Sequence, residues 1–256
     1  MKINILSDLH LEKGEYTFPI ISSDLLILAG DTCNISEPDL FKSFLNKIPV
    51  TQRTLIIMGN HEYLYYDHNN CEITLQKLLS DYPHITLLEN DSIIIDGIEF
   101  IGSTLWSNFL AHGEEYYLES KAFVQKHWTP QNAFIVENNI EIPLTVDFAE
   151  EKSLIAIEYL KNKLSTNFDG KRVVITHFPP SKLSTESAYI HDKLNSYWVN
   201  NLDVLFNDKI NLWIHGHIHQ SKNYIHPTGV QVICNPRGNM KKVMNHDFDY
   251  RLCVDI

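Results

Sequence analysis

Histidine and carboxylate side chains are grouped at five points along this 256-residue chain, each directly after a short apolar run. Imidazole nitrogens and carboxylate oxygens together suit divalent transition metals such as Mn, Fe, Zn and Ni. The pattern therefore predicts a metal site assembled from distant parts of the chain. The five segments are Asp8-Leu9-His10, Gly30-Asp31, Gly59-Asn60-His61-Glu62, Thr176-His177 and Gly216-His217-Ile218-His219.

The apolar runs before these segments have the length and composition of buried β-strands. Because each motif begins where its run ends, we expect the metal-ligand candidates on loops at the carboxyl ends of strands. Ligands of open α/β sheets bind at that edge. The runs cover residues 3–6, 25–29, 55–58, 173–175 and 212–214.

Apolar residues at helical spacing predict helices over about residues 40–48, 75–82, 154–164 and 198–205. Asp147, three residues before Glu150, is expected to cap the third of these helices. Two isoleucine-rich runs flank Asp96-Gly97, a dipeptide favoured in tight turns, and they predict a β-hairpin. Further strands are expected at residues 230–233 and 252–254. The length, without repeat or linker, indicates one domain.

In this order, the five segments resemble the D-x-H, G-D, G-N-H-[DE], H and G-H-x-H pattern of the calcineurin-like metallophosphoesterase family. The resemblance spans about residues 1–238. It implies an α/β fold of two facing mixed β-sheets flanked by helices, a four-layer αββα sandwich. It also implies one domain over residues 1–256, with a variable cap-like insert at about residues 106–146.

The same resemblance gives a role to each motif residue. His61 corresponds to the general acid that protonates the departing alkoxide. Two divalent ions would stabilise charge on the attacking and leaving oxygens, and would make hydroxide available near neutral pH. Their identity among Mn, Fe, Zn and Ni stays open. Asp8, His10 and His219 correspond to the ligands of one metal, Asn60, His177 and His217 to those of the other, and Asp31 to the bridge.

Three further residues are candidates for substrate contact or for support of the ligands. Glu62 is expected to bear on the orientation of His61 or on local packing. Asn34 lies where phosphoprotein phosphatases of this superfamily carry an acid-orienting Asp, and Met58 where they carry Arg. The guanidinium of Arg237 suits bidentate phosphate contact, although its Pro and Gly neighbours equally fit a surface turn.

The composition restricts the partners and the location. A formal charge of −11 argues against general nucleic-acid binding, which requires a basic face. No apolar stretch has the length of a membrane helix, and the first apolar run is interpreted as a strand, not a signal peptide. The four scattered cysteines lack a C-x-x-C pair and fit a reducing cytoplasm.

These observations together predict a cytoplasmic, dimetal-dependent hydrolase of small soluble phosphate esters, with a diester slightly preferred over a monoester. The aromatic side chains from Trp106 to Trp128 are expected to offer an apolar wall beside the site. The alternatives are a protein Ser/Thr phosphatase, disfavoured by Asn34 and Met58, and a nuclease, disfavoured by the acidic charge. An inactive scaffold module is the alternative of another class, disfavoured because every ligand position is intact.

Overall fold

The computed structural model of the chain describes residues 1–127, 134–239 and 243–256. Two mixed β-sheets pack face to face, and helices cover their outer surfaces, as the sequence predicted. The strands of the described residues are β1 Lys2–Leu6, β2 Leu25–Ala29, β3 Thr54–Ile57, β4 Ile85–Leu87, β5 Asp91–Ile95, β6 Ile98–Ser103, β7 Phe134–Glu137, β8 Ile140–Pro143, β9 Lys171–Thr176, β10 Leu212–His215, β11 Lys222–Ile225, β12 Gln231–Cys234, β13 Gly238–Asn239, β14 Val243–Met244 and β15 Cys253–Asp255.

Parallel pairing dominates the centre of both sheets. The first sheet has the order β15-β1-β2-β3-β4, with β1 to β4 parallel and β15 antiparallel at one edge. The second has the order β11-β12-β10-β9-β6-β5, with antiparallel strands at both edges and parallel strands between them. The motif loops therefore leave neighbouring strands at the same edge of each sheet.

Alternate residues of the central strands fill two different layers of the core, because successive side chains of a strand point to opposite faces. Ile27 of β2 and Ile175 of β9 lie in the layer between the sheets. Leu28 and Val174 face outward and pack in the layer under the helices. Burial on both faces explains why these strands appear in the sequence as continuous apolar runs.

The helices are largely where the apolar spacing placed them, with two corrections. Thr145 caps α4, since its Oγ1 accepts a 3.1 Å hydrogen bond from the Phe148 amide, so the prediction of Asp147 as the cap is wrong. The predicted helix over residues 198–205 is also wrong, because the backbone is extended at Val199 and a separate turn follows. The helices are α1 Pro38–Leu45, α2 Cys71–Leu79, α3 Tyr117–His127, α4 Val146–Ser165 and α5 Asn195–Trp198, with short 3-10 turns between several of the elements.

The predicted hairpin between β5 and β6 is confirmed. Ile95 pairs with Ile98, so Asp96 and Gly97 form the two-residue turn. Both turn residues have positive φ, 51° and 79°, which is the conformation that this kind of hairpin turn requires.

Residues 106–127 begin with a buried stretch that is hydrogen-bonded to the segment around residues 196–200. Ser107 Oγ donates a 2.7 Å hydrogen bond to the Ser196 carbonyl, and Asn200 Nδ2 donates one of 2.8 Å to the Trp106 carbonyl. Trp106 and Phe109 are buried in the core. The predicted insert at 106–146 contains residues 128–133, among them Trp128, which lie outside the described residues. Among the described helices, none is both long and apolar enough to cross a membrane.

Candidate metal centre

The loops after β1, β2, β3, β9 and β10 meet at one end of the sandwich and bring the predicted ligands together. Backbone contacts hold the loops in place: the Asp8 amide donates to the Gly30 carbonyl at 3.0 Å, and the Gly216 amide to the His177 carbonyl at 2.9 Å. The ligand candidates assembled here are Asp8, His10, Asp31, Asn60, His177, His217 and His219.

Four of these side chains form a first group of donor atoms. One donor atom from each of Asp8, His10, Asp31 and His219 lies within 4.8 Å of the others. The Nε2 atoms of His10 and His219 are 2.9 Å apart, and His219 Nε2 is 3.4 Å from Asp8 Oδ1. Imidazole nitrogens that face each other at this distance beside carboxylates are an arrangement that a cation would stabilise.

A second group shares Asp31 with the first. Donor atoms of Asp31, His177 and His217 also lie within 4.8 Å of one another. His177 Nε2 is 3.3 Å from Asp31 Oδ2 and 3.2 Å from Asn60 Oδ1. His217 Nε2 is buried and has no hydrogen-bond partner among the described residues. A ligand atom of a bound metal would satisfy that nitrogen, so the residues of both groups fit divalent metal ions.

Unusual backbone geometry aims the ligands at a common point. Non-glycine residues rarely adopt the left-handed conformation, because each instance costs about 1–3 kcal/mol and persists only where the surrounding structure imposes it. Strain of this kind concentrates at functional sites. Five ligand candidates have it: Asp8 (φ 49°), His10 (43°), Asp31 (51°), His217 (73°) and His219 (52°).

Two glycines of the motifs permit close approach to the carboxylates. A Cβ atom at Gly216 would lie 2.6 Å from Asp8 Oδ2, and one at Gly59 would overlap Asp31 Oδ1. Either contact would displace a ligand oxygen, since real Cβ atoms are not found this close to other heavy atoms. The glycines in G-N-H-E and G-H-x-H are therefore needed for space around the ligands.

Charge interactions in the metal-free site keep its carboxylates ionised. Burial alone would raise the pKa of Asp8, but the hydrogen bond from His219 and the charge of His177 outweigh it and hold the pKa at about 2. Burial would also raise the pKa of Asp31, but the charges of His177 and His61 lower it well below its usual range. Burial lowers the pKa of His177, yet the Asp31 carboxylate raises it to about 9. Cation binding would therefore displace protons from the histidines.

His61, the predicted general acid, lies beside the two donor groups and is 20% exposed. Its amide donates a 2.8 Å hydrogen bond to Asp31 Oδ1, which ties its backbone to the shared carboxylate. Burial would lower the pKa of His61, but the charge of Asp31 and the hydrogen bond with Glu12 raise it. The neighbouring carboxylates thus favour the protonated imidazole that a general acid requires.

Glu12 is a site residue that the sequence analysis missed. Its Oε1 lies 3.0 Å from His61 Nδ1 and 3.2 Å from His10 Nδ1, and its side chain is only 6% exposed. Burial would raise its pKa, but the hydrogen bonds with His10 and His61 lower it to about 2. One carboxylate therefore orients a metal-ligand candidate and the candidate acid together. Its position two residues after the D-x-H motif was the available signal.

Glu62 joins two ligand loops, while Asn34 is not seen to contact the candidate acid. The Glu62 carboxylate accepts hydrogen bonds from the amides of Asp31 (3.0 Å), Thr32 (2.7 Å) and Gly59 (2.7 Å). Burial and the Asp31 charge raise its pKa to about 7 in the metal-free protein. Asn34 is buried, and its Oδ1 has no hydrogen-bond partner within the described part of the chain.

Arg237 is directed at the backbone of the loop that carries His10. Its Nη1 donates to the carbonyls of Leu9 (2.8 Å) and Gly14 (2.9 Å), and its Nη2 to that of Glu15 (2.5 Å). The side chain is 4% exposed, so it does not lie in a surface turn. These contacts favour a role in holding the loop over a direct contact with phosphate.

A cleft of about 450 Å³ opens beside the metal-ligand residues. Asp31, Asn60, His61, His217 and His219 line its inner end. The other lining residues in the described chain belong to the segment 184–199 and to Ile218 and Gln220. Residues 106–127 do not line it, so the expectation that the aromatic stretch forms the wall is wrong for these residues, while Trp128 lies outside the described part of the chain.

A larger and more open depression of about 1290 Å³ lies elsewhere, lined by residues before β2, β6 and β9. These residues precede the strands, so the depression is at the opposite end from the ligand loops. Arg53, Asp96, Lys171 and Lys209 contribute charges of both signs to it. No group of metal-binding side chains was found there among the described residues, so the chemistry is placed in the smaller cleft.

The chain is similar to several known proteins. It is 26% identical, over 92% of its length and 90% of the relative, to an uncharacterized protein of Acanthamoeba polyphaga mimivirus. A phosphopantetheinyl hydrolase from Mycobacterium tuberculosis superposes with a TM-score of 0.67 at 14% identity, covering 94% of this chain and 90% of that one.

A dimetal phosphatase from Danio rerio superposes with a TM-score of 0.51 at 12% identity, covering 91% of this chain and 86% of the other. At these identities the two solved structures show a shared fold only. The calcineurin-like phosphoesterase family matches residues 1–221, a range that includes all five motif segments. The chain belongs to the calcineurin-like phosphoesterase family and is a metal-dependent phosphoesterase.

Proposed function

We propose that this protein hydrolyses small, soluble phosphate esters with two divalent metal ions, and that it prefers diesters slightly over monoesters. The observation that carries the proposal is the pair of donor groups that share the Asp31 carboxylate at the inner end of a cleft. Two bound metals would supply Lewis acidity for the phosphoryl oxygens and an acidified water. Mn, Fe, Zn and Ni all suit this mixture of histidine and carboxylate ligands.

The ligands divide between the two ions as follows. One group consists of Asp8, His10 and His219, the other of Asn60, His177 and His217, and the Asp31 carboxylate belongs to both. In each group, backbone contacts and short distances between donors support the assignment. Glu62 fixes the loops of Asp31 and Gly59 to one another, and Arg237 fixes the loop of His10.

His61 acts as the general acid on the leaving oxygen. It lines the cleft next to the donor groups and is partly exposed, so a leaving group in the cleft is within its reach. Glu12 hydrogen-bonds Nδ1 of His61, so the other ring nitrogen, Nε2, which lies 4.0 Å from Asp31 Oδ2, is the one that delivers a proton to the alkoxide. Glu12 therefore fills the orienting role that Asn34, lacking a carboxylate, does not provide.

Charge in the cleft supports the preference for a diester. A diester carries one negative charge, whereas a monoester dianion carries two and usually needs a basic side chain on its extra oxygen. No lysine or arginine is among the described residues that line the cleft. A total charge of −11 also disfavours a long polyanion such as DNA. The cysteines of the chain are unpaired thiols, which fits a cytoplasmic location.

A substrate panel tests the proposal. The purified protein with added Mn²⁺ is assayed on a small aryl diester, an aryl monoester, a phosphopantetheinyl ester, a phosphoprotein and single-stranded DNA at matched phosphate concentration. We expect the highest kcat/KM on a small ester, with the diester somewhat ahead of the monoester. A much higher kcat/KM on the phosphoprotein or the DNA would identify a protein phosphatase or a nuclease instead, and no hydrolysis at all would favour a binding module.

A further inference from the structure

The outer part of the cleft has an apolar wall to which the motifs contribute only one side chain among the described residues, that of Ile218. Tyr189, Leu194, Trp198 and Ile218 line it, next to the metal-ligand residues. The Trp198 ring lies 5.2 Å from the ring of His217, so the wall starts directly at the site. If a phosphate is bound at the donor groups, a flat organic group attached to it would therefore lie against this aromatic surface.

The charged side chains of this wall are both acidic. Glu186 and Asp192 line the cleft and are exposed, while the described lining residues include no lysine or arginine. Lys193 lies next to Asp192, but its ammonium pairs with Glu119 on α3 and does not line the cleft. The outer cleft thus presents negative charge to a ligand with no basic group to offset it.

The acidic wall is held in place by the neighbouring structure. His112 Nε2 donates a 2.9 Å hydrogen bond to the carbonyl of Asp192, and Asp192 Oδ1 accepts one of 2.9 Å from the Leu194 amide. Ser107 fixes the backbone at Ser196 from the same side. Residues 107–112 therefore hold the backbone of the wall at Asp192 and Ser196, and the Leu194 amide orients the Asp192 carboxylate.

We propose that this wall, formed by the side chains of residues 184–199, binds the leaving group and selects it by charge. It favours an ester whose leaving group has an apolar body and is neutral or cationic, and it disfavours one with a second anionic group, such as another phosphate or a carboxylate. The inference rests on the proposed function and specifies its substrate class. Opposite and like charges at short range in a partly enclosed cleft differ enough in energy to set such a preference.

Three aryl methyl phosphodiesters test the proposal, with a trimethylammonium, an uncharged or a carboxylate group at the para position. The measured quantity is the ratio of kcat/KM for the cationic ester to that for the anionic one. It is compared between the wild type and the double variant Glu186→Gln/Asp192→Asn, with Mn²⁺ at low salt. Because the intrinsic reactivity of each ester is the same for both proteins, it cancels in this comparison.

We expect the ratio to fall about tenfold or more in the double variant, and the difference to shrink at high salt because mobile ions screen the carboxylates. The control is Asp81→Asn/Glu151→Gln, which removes the same charge from exposed positions away from the cleft. The control should keep the wild-type ratio. A ratio unchanged in the Glu186/Asp192 variant, or changed equally in the control, would overturn the inference.

Binding separates this inference from the proposed function. The corresponding non-hydrolysable aryl phosphonates are titrated into both proteins in the presence of Mn²⁺, and their Kd values are measured by calorimetry. Absence of hydrolysis of all three diesters and of an aryl phosphate monoester refutes the proposed function. In that case the charge selection is still supported if the wild type binds the anionic phosphonate more weakly than the cationic one and the double variant reduces this difference. Equal Kd values of the wild type for the cationic and anionic phosphonates refute it.

Discussion

Replacing Glu12 by Gln tests how the acid is positioned, because the change keeps the shape of the side chain and removes its charge. A single oxygen, Oε1, lies 3.0 Å from His61 Nδ1 and 3.2 Å from His10 Nδ1. The amide oxygen of Gln can accept from the same two nitrogens, so the geometry can persist. What is lost is the negative charge that stabilises protonated His61 and the charge-assisted character of both hydrogen bonds.

The expected loss follows from the strength of such bonds. A hydrogen bond to a charged group contributes about 1.5–3 kcal/mol, roughly twice a neutral one. Losing the charge therefore costs His61 about 1–2 kcal/mol of stabilisation, or roughly 5- to 30-fold in kcat. Residues that orient metal ligands also change metal affinity by about 10- to 100-fold when they are replaced, so Mn²⁺ binding at His10 should weaken as well.

The assay is kcat at saturating Mn²⁺ for a series of aryl diesters whose leaving groups differ in pKa. We expect the loss in Glu12→Gln to be greatest for leaving groups of high pKa, which most need a proton, and small for those of low pKa. Glu15→Gln is the matched control, because Glu15 is in the same loop, its side chain is 74% exposed and its carboxylate pairs with Lys47. Wild-type kcat for every leaving group, with wild-type Mn²⁺ affinity, would refute the role given to Glu12.

Three other variants should behave as follows. Asp31→Asn should lose metal from both donor groups and lose turnover, and metal analysis that still found two equivalents with normal turnover would contradict the bridging role. His61→Asn should keep its metals yet lose roughly 10²–10⁴-fold in kcat, with a smaller loss for leaving groups of low pKa, whereas a uniform loss would indicate positioning instead. Burial raises the pKa of Glu89 from 4.5 to about 7, even though Thr104 donates a hydrogen bond to its carboxylate. Between pH 4.5 and pH 7 the folded state therefore binds more protons than the unfolded state, so the free energy of unfolding falls as the pH rises through this range. The change in the free energy of unfolding caused by Glu89→Gln should thus be roughly 2–3 kcal/mol more favourable at pH 8 than at pH 4. Denaturant titrations that gave the same change at both pH values would disprove this.

The sheets and the hairpin could be predicted because their signals are local. Ile27 and Leu28 are buried on opposite faces of the same strand, so the run appears apolar throughout and its end marks a ligand loop. Asp96-Gly97 specifies its own turn through the positive φ of both residues. Such features depend on neighbours in sequence, which is the information that a single sequence contains.

The errors arose where a contact between distant residues decided the structure. The predicted helix after Trp198 stops because Asn200 bonds the Trp106 and Pro179 carbonyls, partners far away in the chain. Glu12 contacts His61, 49 residues later, and its position two residues after the D-x-H motif does not reveal that partner. Arg237 is bound to carbonyls of a loop more than 200 residues earlier, so its partners could not be inferred from its own turn.

The cleft wall was missed for a related reason. Residues 184–199 contain short 3-10 turns and the four-residue helix α5, which are too short to give a periodic pattern, so nothing marked them as a binding surface. The aromatic stretch beginning at Trp106 drew the prediction because large apolar side chains are conspicuous in sequence. In the structure Trp106 and Phe109 pack in the core, and Tyr189 and Trp198 line the cleft.

The most direct test of the central claim is a metal titration of the chelator-treated wild-type protein. Mn²⁺ bound per chain is measured alongside hydrolysis of a small aryl phosphodiester in the same samples. The shared Asp31 carboxylate predicts that activity appears as two equivalents bind and is lost again on chelation. Saturation at one equivalent, or full occupancy of two without hydrolysis of any small phosphate ester, would contradict the claim.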